Sequence, residues 1–342
     1  MTSGGSTARL LAAEAKRLRL FALKGTEELG KNIADALGCN LAAHEERSFE
    51  DGEHKIRPLD TVAGCDVHIV HSLHGGPEES PNDKLCRLLF FIGALKDAGA
   101  ARVTAVAPYL CYARKDRRTK ANDPVTIRYL AALFEAVGTD AIVTLEVHNE
   151  AAFENAFRCP SVALSTAPLL VGKIGAMAGD KPLCVISPDL GGGKRADVLR
   201  EALEKAIGRP VRKAFVEKHR SAGVVSGDLF AGDVANAVCV VVDDLVSTGG
   251  TLVRAAKAAR ARGAREVIAC VAHGLFMPGA ETALADTVID RIIATDTVPP
   301  FRLPHGPVLA KLEVISAAPL LAEAIRRLHV NEPLGDLLMY QT

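Results

Sequence analysis

The chain has 342 residues, 49% hydrophobic and 24% charged, which is enough for two ordinary domains with sizeable cores. Its 41 Lys+Arg balance 41 Asp+Glu, so the formal net charge is zero and the composition excludes a general binder of nucleic acid or of a membrane surface, either of which needs a basic excess. No apolar run reaches the length of a membrane span, residues 9–20 are too charged for a signal peptide, and the eight cysteines stand singly without C-x-x-C spacing, so the expectation is a cytoplasmic protein with buried thiols and no zinc site.

Along the chain, short apolar runs bounded by turn residues predict buried strands at 66–72, 102–107, 141–147, 183–187, 238–242 and 266–272. Helical spacing fills the intervals at 85–97, 125–136, 194–206 and 251–261. Alternation of this kind predicts parallel sheets covered by helices on both faces. A helix, a Gly-Ala turn and a strand at 84–110 have a weak echo at 251–276, as two similar halves would produce, although any two such units look alike.

The polar residues fall at the punctuation of this pattern. Residues 48–53 form an acidic turn around Phe49, Asp51, Gly52 and Glu53. After the strand at 102–107 come Arg114, Lys115, Arg117 and Arg118, interrupted only by Asp116. Such a run is usually a solvated loop, but at a strand end it can meet a polyphosphate. His148 closes the strand at 141–147, where a lone histidine is more often structural than a ligand. Asp189 follows the strand at 183–187, the end at which open α/β sheets bind ligands, and Gly191, Gly192 and Gly193 turn the chain into the next helix. Lys218 and Arg220 flank His219 and are weak signals alone. The strongest element is the strand at 238–242, ending in Asp243 and Asp244 and followed by Ser247, Thr248, Gly249, Gly250 and Thr251 at a helix start. Turn amides and a helix N-terminus suit a phosphomonoester. The hydroxyls add donors, and the glycines admit close approach. The two acids can hold ribose hydroxyls or a hydrated Mg2+. A plain Ser/Thr helix cap has the same letters, but adjacent carboxylates are costly unless they bind something.

Residues 239–251 resemble the 5-phosphoribosyl 1-pyrophosphate (PRPP) motif of the phosphoribosyltransferase fold, which leaves open an enzyme that consumes PRPP and one that makes it. Residues 187–196 resemble the S-P-D-x-G-G-x-x-R-A segment of ribose-phosphate pyrophosphokinases. Residues 107–118 resemble that family's P-Y-x-x-Y-A-R-Q-D-R, with Lys115 in place of glutamine, and residues 49–53 its F-x-D-G-E loop. Residues 215–220 are similar to its mobile catalytic loop, 290–299 to its D-x-x-x-x-T-N-T-x-P segment and 317–329 to its last helix, so the likeness spans about 18–339. Besides Lys115, the departures are Glu146 before His148 and Ser247 in the phosphate turn, where aspartate is usual, together with the stretch 119–126 and the segment 221–228 after Arg220, which reads as a short loop.

This resemblance implies an α/β fold of two tandem phosphoribosyltransferase-like domains, each a mainly parallel sheet flanked by helices: 18–163 with the ATP motifs, 164–315 with the sugar-phosphate loop, and a C-terminal helix and tail at 316–342 packing back on the first domain. It implies a ribose-phosphate diphosphokinase acting on ATP and ribose 5-phosphate with Mg2+ as cofactor. Phe49, Asp51, Gly52 and Glu53, from a neighbouring subunit, would contact ATP together with Arg114, Lys115 and Arg117. Arg220, Asp243, Asp244, Ser247, Thr248, Gly249, Gly250 and Thr251 would bind ribose 5-phosphate, His148 and Asp189 the metal, and Lys218 and Arg220 would be catalytic. The shared nucleotide contacts imply a homo-oligomer, a dimer at least. A PRPP-consuming transferase would need no ATP residues, and a catalytically weak regulatory subunit would have lost some of those present.

Overall fold

The apolar runs become strands buried on both faces, as parallel sheets under helices require. The structure, a computed structural model, describes residues 17–189, 191–221 and 224–338, with the side chains of 217–228 outside the described set. It divides into two units, residues 17–165 with Ala317–Leu338, and Thr166–Ser316.

The N-terminal unit runs β1 (Leu18–Ala22), α1 (Glu27–Leu37), β2 (His44–Ser48), β3 (His54–Pro58), β4 (Asp66–Val70), α2 (Pro81–Asp97), β5 (Arg102–Val106), α3 (Thr126–Ala136), β6 (Ala141–Leu145), α4 (Glu150–Ala156) and β7 (Ser161–Leu164). Its main sheet has the order β1-β4-β5-β6-β7, parallel throughout, and β2 and β3 form a separate antiparallel hairpin. Val67, Ile69, Val103, Ala105, Ile142 and Val143 are fully buried. Helix α2 starts where Ser80 and Asp83 exchange hydrogen bonds in a capping box followed by Pro81.

The C-terminal unit runs α5 (Ala167–Ala178), β8 (Leu183–Ser187), α6 (Gly193–Ile207), β9 (Arg212–Ser221), β10 (Val224–Ala231), β11 (Val238–Val246), α7 (Gly250–Arg260), β12 (Glu266–Gly274), α8 (Ala280–Leu284), β13 (Arg291–Thr295), α9 (Pro307–Ala310) and β14 (Leu312–Ile315). The sheet order is β10-β9-β8-β11-β12-β13-β14, and only the edge pair β9–β10 is antiparallel.

The last helix, α10 (Ala318–Val330), belongs to the N-terminal unit and packs on α1. One carboxylate ties it there. Asp66, at the start of β4, accepts two hydrogen bonds from Arg102 (2.7 and 2.5 Å) and sits 2.6 Å from His329 Nδ1 and 3.3 Å from His68 Nε2. Burial opposes the charge, but Arg102 and the two histidines outweigh it and hold the Asp66 carboxyl far below the usual range. Arg102 also donates to the Leu328 carbonyl (2.8 Å).

Three expectations need correction. The strand read as ending at Asp243 and Asp244 continues to Val246, because β12 runs beside it as far as Gly274 and supplies ladder partners. The segment after Arg220 is a hairpin rather than a short loop: β10 folds back on β9, pairing Asp228 with Lys218 and Val225 with Arg220. The strand before His148 stops at Leu145, where Glu146 takes a left-handed φ of 47° and breaks the extended run. All eight cysteines are free, and five of them are buried.

Candidate active site

In the C-terminal unit, β8 and β11 are neighbours in register from Leu183↔Val238 to Ile186↔Val241, so the segments leaving their C-terminal ends lie together. After β8, Ser187 Oγ donates to the Asp189 carbonyl (2.6 Å), and the Gly192 N–H donates to Asp189 Oδ1 (2.9 Å). A Cβ at Gly192 would stand 2.9 Å from Ser187 Oγ and would displace that hydroxyl. On β11, the Asp244 N–H donates to Asp243 Oδ1 (2.9 Å), and Asp244 is buried. Burial first, then Asp244 and Asp189, push the Asp243 carboxyl well above its usual range, although Arg195 pulls the other way. That arginine is itself buried, with Nη1 3.8 Å from Asp243 Oδ1. Hydroxyl donors or a cation brought to these carboxylates relieves the repulsion.

Ser247, Thr248 and Gly249 then turn into α7. Gly249 has φ 82°, and a Cβ there would stand 2.6 Å from Leu284 Cγ, so both backbone and space demand glycine. The Met277 N–H donates to the Ser247 carbonyl (2.9 Å) and holds the turn from behind. Helix α7 has no side-chain hydrogen bond at its N-cap, so its first amides are not spent on a serine or threonine cap. Thr248 and Gly250 are exposed, and Ser247 and Thr251 half-buried. The five residues form one turn lined by amides and hydroxyls at a helix N-terminus, a geometry that binds phosphate.

In the N-terminal unit, β5 and β6 are adjacent, so residues 107–125 after β5 and 146–149 after β6 emerge side by side. Arg114, Lys115, Arg117 and Arg118 are exposed, but they are not equivalent. Lys115 Nζ lies 3.6 Å from Asp123 Oδ2, and Arg118 Nε donates to the Asp123 carbonyl (3.2 Å). Among the described residues no acceptor engages Arg114 or Arg117. His148 lies exposed beyond β6. The turn at 49–53 joins β2 to β3: the Phe49 N–H donates to the Glu53 carbonyl (2.8 Å) and the Glu53 N–H to Asp51 Oδ1 (3.0 Å). Phe49 is 41% exposed, with the Arg47 guanidinium 5.2 Å from its ring centre.

The root of that hairpin is a buried charge hub unread in the sequence. Glu46 accepts from Arg87 Nη1 (2.8 Å) and the Lys24 N–H (2.8 Å), and lies 2.9 Å from His44 Nε2. Burial raises its pKa, yet the bonds from His44, Arg87 and Lys24 prevail and hold it at about 2. Arg195 was likewise without a predicted role, although its place in the S-P-D segment was a signal. Lys218 and Arg220 sit on β9, but their side chains lie outside the described residues, as does Leu190. His148 and Asp189 belong to different units.

Among the described residues no three His, Cys, Asp or Glu side chains converge as a ready cation cage. Mg2+ does not require one, since it keeps several waters and takes one or two carboxylates together with substrate phosphates. The strained pair Asp243 and Asp244, beside a phosphate turn, fits that chemistry.

Comparison with known proteins gives a consistent picture. A profile of the N-terminal domain of ribose phosphate pyrophosphokinase matches residues 18–138, and one of the phosphoribosyl synthetase-associated domain matches 224–339. The chain is 36% identical over 327 residues to a ribose-phosphate pyrophosphokinase of Clostridium perfringens, covering 94% of this chain and 98% of the relative. It is 35% identical over 322 residues to that of Haemophilus influenzae, covering 94% and 98%. The crystal structure of phosphoribosylpyrophosphate synthetase from Mycobacterium smegmatis superposes with a TM-score of 0.80 at 33% identity, covering 92% of this chain and 99% of that one.

Two outcomes are expected. Gly249→Ala meets a left-handed backbone and the Leu284 side chain at once. Strain of this type costs about 1–3 kcal/mol, so the melting temperature falls and calorimetry shows sugar-phosphate binding weakened, whereas Gly250→Ala, which faces open space, leaves the melting temperature unchanged. The second outcome concerns Glu46. Because its folded pKa is depressed to about 2, its contribution is complete above its unfolded pKa and is lost as the pH falls through the folded value. The amount is on the order of 3 kcal/mol, so denaturant unfolding from about pH 6 to pH 2 should show Glu46→Gln less stable at the upper end and less sensitive to acid.

Proposed function

The chain belongs to the ribose-phosphate pyrophosphokinase family, and from that premise we propose that it transfers the pyrophosphoryl group of Mg-ATP to the 1-hydroxyl of ribose 5-phosphate, giving PRPP and AMP. The observation that carries this reading is identity of about 35% across 94% of the chain, coupled with an uncapped, amide-lined turn directly after β11, whose last residues include Asp243 and Asp244.

In this reaction the anomeric oxygen forms a bond to the β-phosphorus. The bond from that phosphorus to the α–β bridging oxygen breaks, AMP leaves, and the hydroxyl proton is released. Catalysis of such a transfer is mainly alignment and electrostatic stabilisation. The turn of Ser247, Thr248, Gly249, Gly250 and Thr251 holds the 5-phosphate through amides and hydroxyls. Asp243 and Asp244 accept from the ribose hydroxyls, and Arg195 keeps the pair from repelling itself out of place. Arg114 and Arg117 take the polyphosphate. Lys218 and Arg220 stabilise charge on the transferred group, and Arg220 also contacts the sugar phosphate. Bound Mg2+ would supply charge neutralisation of the phosphate oxygens, with Asp189 and the Asp243 region as candidate contacts in the C-terminal unit and His148 as a candidate in the N-terminal unit.

Phe49, Asp51, Gly52 and Glu53 serve the adenine of a neighbouring copy, which makes the enzyme a homo-oligomer. The exposed phenyl ring and the exposed acidic turn around it support this assignment. No helix among the described residues is long and apolar enough to cross a membrane.

The test is AMP release from ATP that depends on ribose 5-phosphate. Its absence, or PRPP consumption with a nucleobase instead, overturns the reading. Lys218→Ala should cut kcat by two to three decades, since loss of one preorganised charge costs about 3–4 kcal/mol, while nucleotide binding persists in calorimetry. Wild-type turnover in that variant removes Lys218 from the mechanism.

A further inference from the structure

The cationic segment after β5 poses a mechanical problem. Residues 107–125 contain no helix or strand, and four cations stand at 114–118. Its first part is anchored by the buried Leu110, Cys111 and Ala113, but the cationic stretch beyond them is exposed and repels itself. Two polar braces meet the difficulty. One is Asp123, whose Oδ2 accepts from the Thr119 N–H (3.1 Å), Thr119 Oγ1 (2.6 Å) and the Lys120 N–H (3.1 Å), with Lys115 Nζ at 3.6 Å. The other is Asn149, directly after His148.

The Asn149 amide is used at both ends. Its Oδ1 accepts from the Ala152 N–H (3.2 Å) and caps α4, while its Nδ2 donates to Asp116 Oδ2 (2.6 Å). The first bond is local and explains why the helix begins here. The second reaches across 33 residues and joins the loop after β5 to the loop after β6. Asp116 stands between Lys115 and Arg117, so holding its carboxylate sets where Arg114 and Arg117 project. Nothing in the capping role calls for a donor, and serine or aspartate caps a helix as well as asparagine.

We propose that Asn149 is a positioning residue for the nucleotide subsite: through Asp116 it fixes the loop that presents Arg114 and Arg117, and it couples that loop to the strand end carrying His148. Lys115, 3.6 Å from Asp123, is drawn toward the same loop and stands beside Arg114 and Arg117. The inference rests on the proposed nucleotide role of Arg114 and Arg117.

Asn149→Ser separates the two functions, because serine keeps the cap and loses the donor to Asp116. The expected result is a melting temperature near that of the wild type, with the KM for ATP raised roughly 3–10-fold, the range for losing one hydrogen bond. kcat and the KM for ribose 5-phosphate should change less. In an Asp116→Ala background, Asn149→Ser should have no further effect, since its partner is already gone. An unchanged KM for ATP in Asn149→Ser, or an additive effect in the double variant, overturns the proposal. Arg114→Ala serves as the control for its premise. If that variant binds ATP normally, the nucleotide role of the loop fails; if Arg114→Ala weakens ATP while Asn149→Ser does not, only the positioning role fails.

Discussion

A parallel sheet buried on both faces has nowhere to put polar chemistry except its ends. In each unit the central parallel strands are mostly fully enclosed valine, isoleucine, leucine, alanine and cysteine, with few polar side chains among them. The functional residues therefore crowd into the segments that leave the C-terminal strand ends. In the N-terminal unit these follow β5 and β6, and in the C-terminal unit they follow β8 and β11. Because each pair of strands is adjacent, residues far apart in sequence become neighbours, as Asp116 and Asn149 do across one pair, and Asp189 and Asp243 across the other.

Crowding has an electrostatic consequence, and the two units meet it differently. The C-terminal unit gathers carboxylates, leaves Asp243 strained upward in pKa, and offsets it with one buried arginine. Such a site is poised for hydroxyl donors and a divalent ion, at the expense of the stability of the protein alone. The N-terminal unit gathers cations on a loop without helix or strand and answers with acid and amide braces, beside which Arg114 and Arg117 stand exposed. The hairpin bearing Phe49 is held at its base by the fully engaged Glu46, so its tip can remain exposed without loosening the root.

Much of this was legible in the residues. Period and punctuation marked the strands and helices to within a few positions, because a strand buried on both faces needs an unbroken apolar run. The phosphate turn was legible because small hydroxyl residues, two glycines and a helix start coincide, and Gly249 is required both by its backbone and by Leu284. The β9–β10 hairpin was missed because S-A-G-V-V-S-G reads as a small-residue loop, whereas its pairing depends on the neighbouring strand. Strand β11 was read too short for a related reason: Asp243 and Asp244 look like a terminus, but the ladder with β12 continues past them.

The sequence by itself determined the architecture, the family and the kinds of group at each strand end, because these depend on local pattern and on the order of motifs. Only the tertiary structure decided the partners. Nothing in the spacing says that Lys115 turns to Asp123, that Asn149 holds Asp116, that Arg87 and Lys24 meet on Glu46, or that His329 closes on Asp66. Hydrogen bonds and ion pairs act over a few ångströms of space whatever the distance along the chain, so these roles exist only once the sheets have brought the segments together.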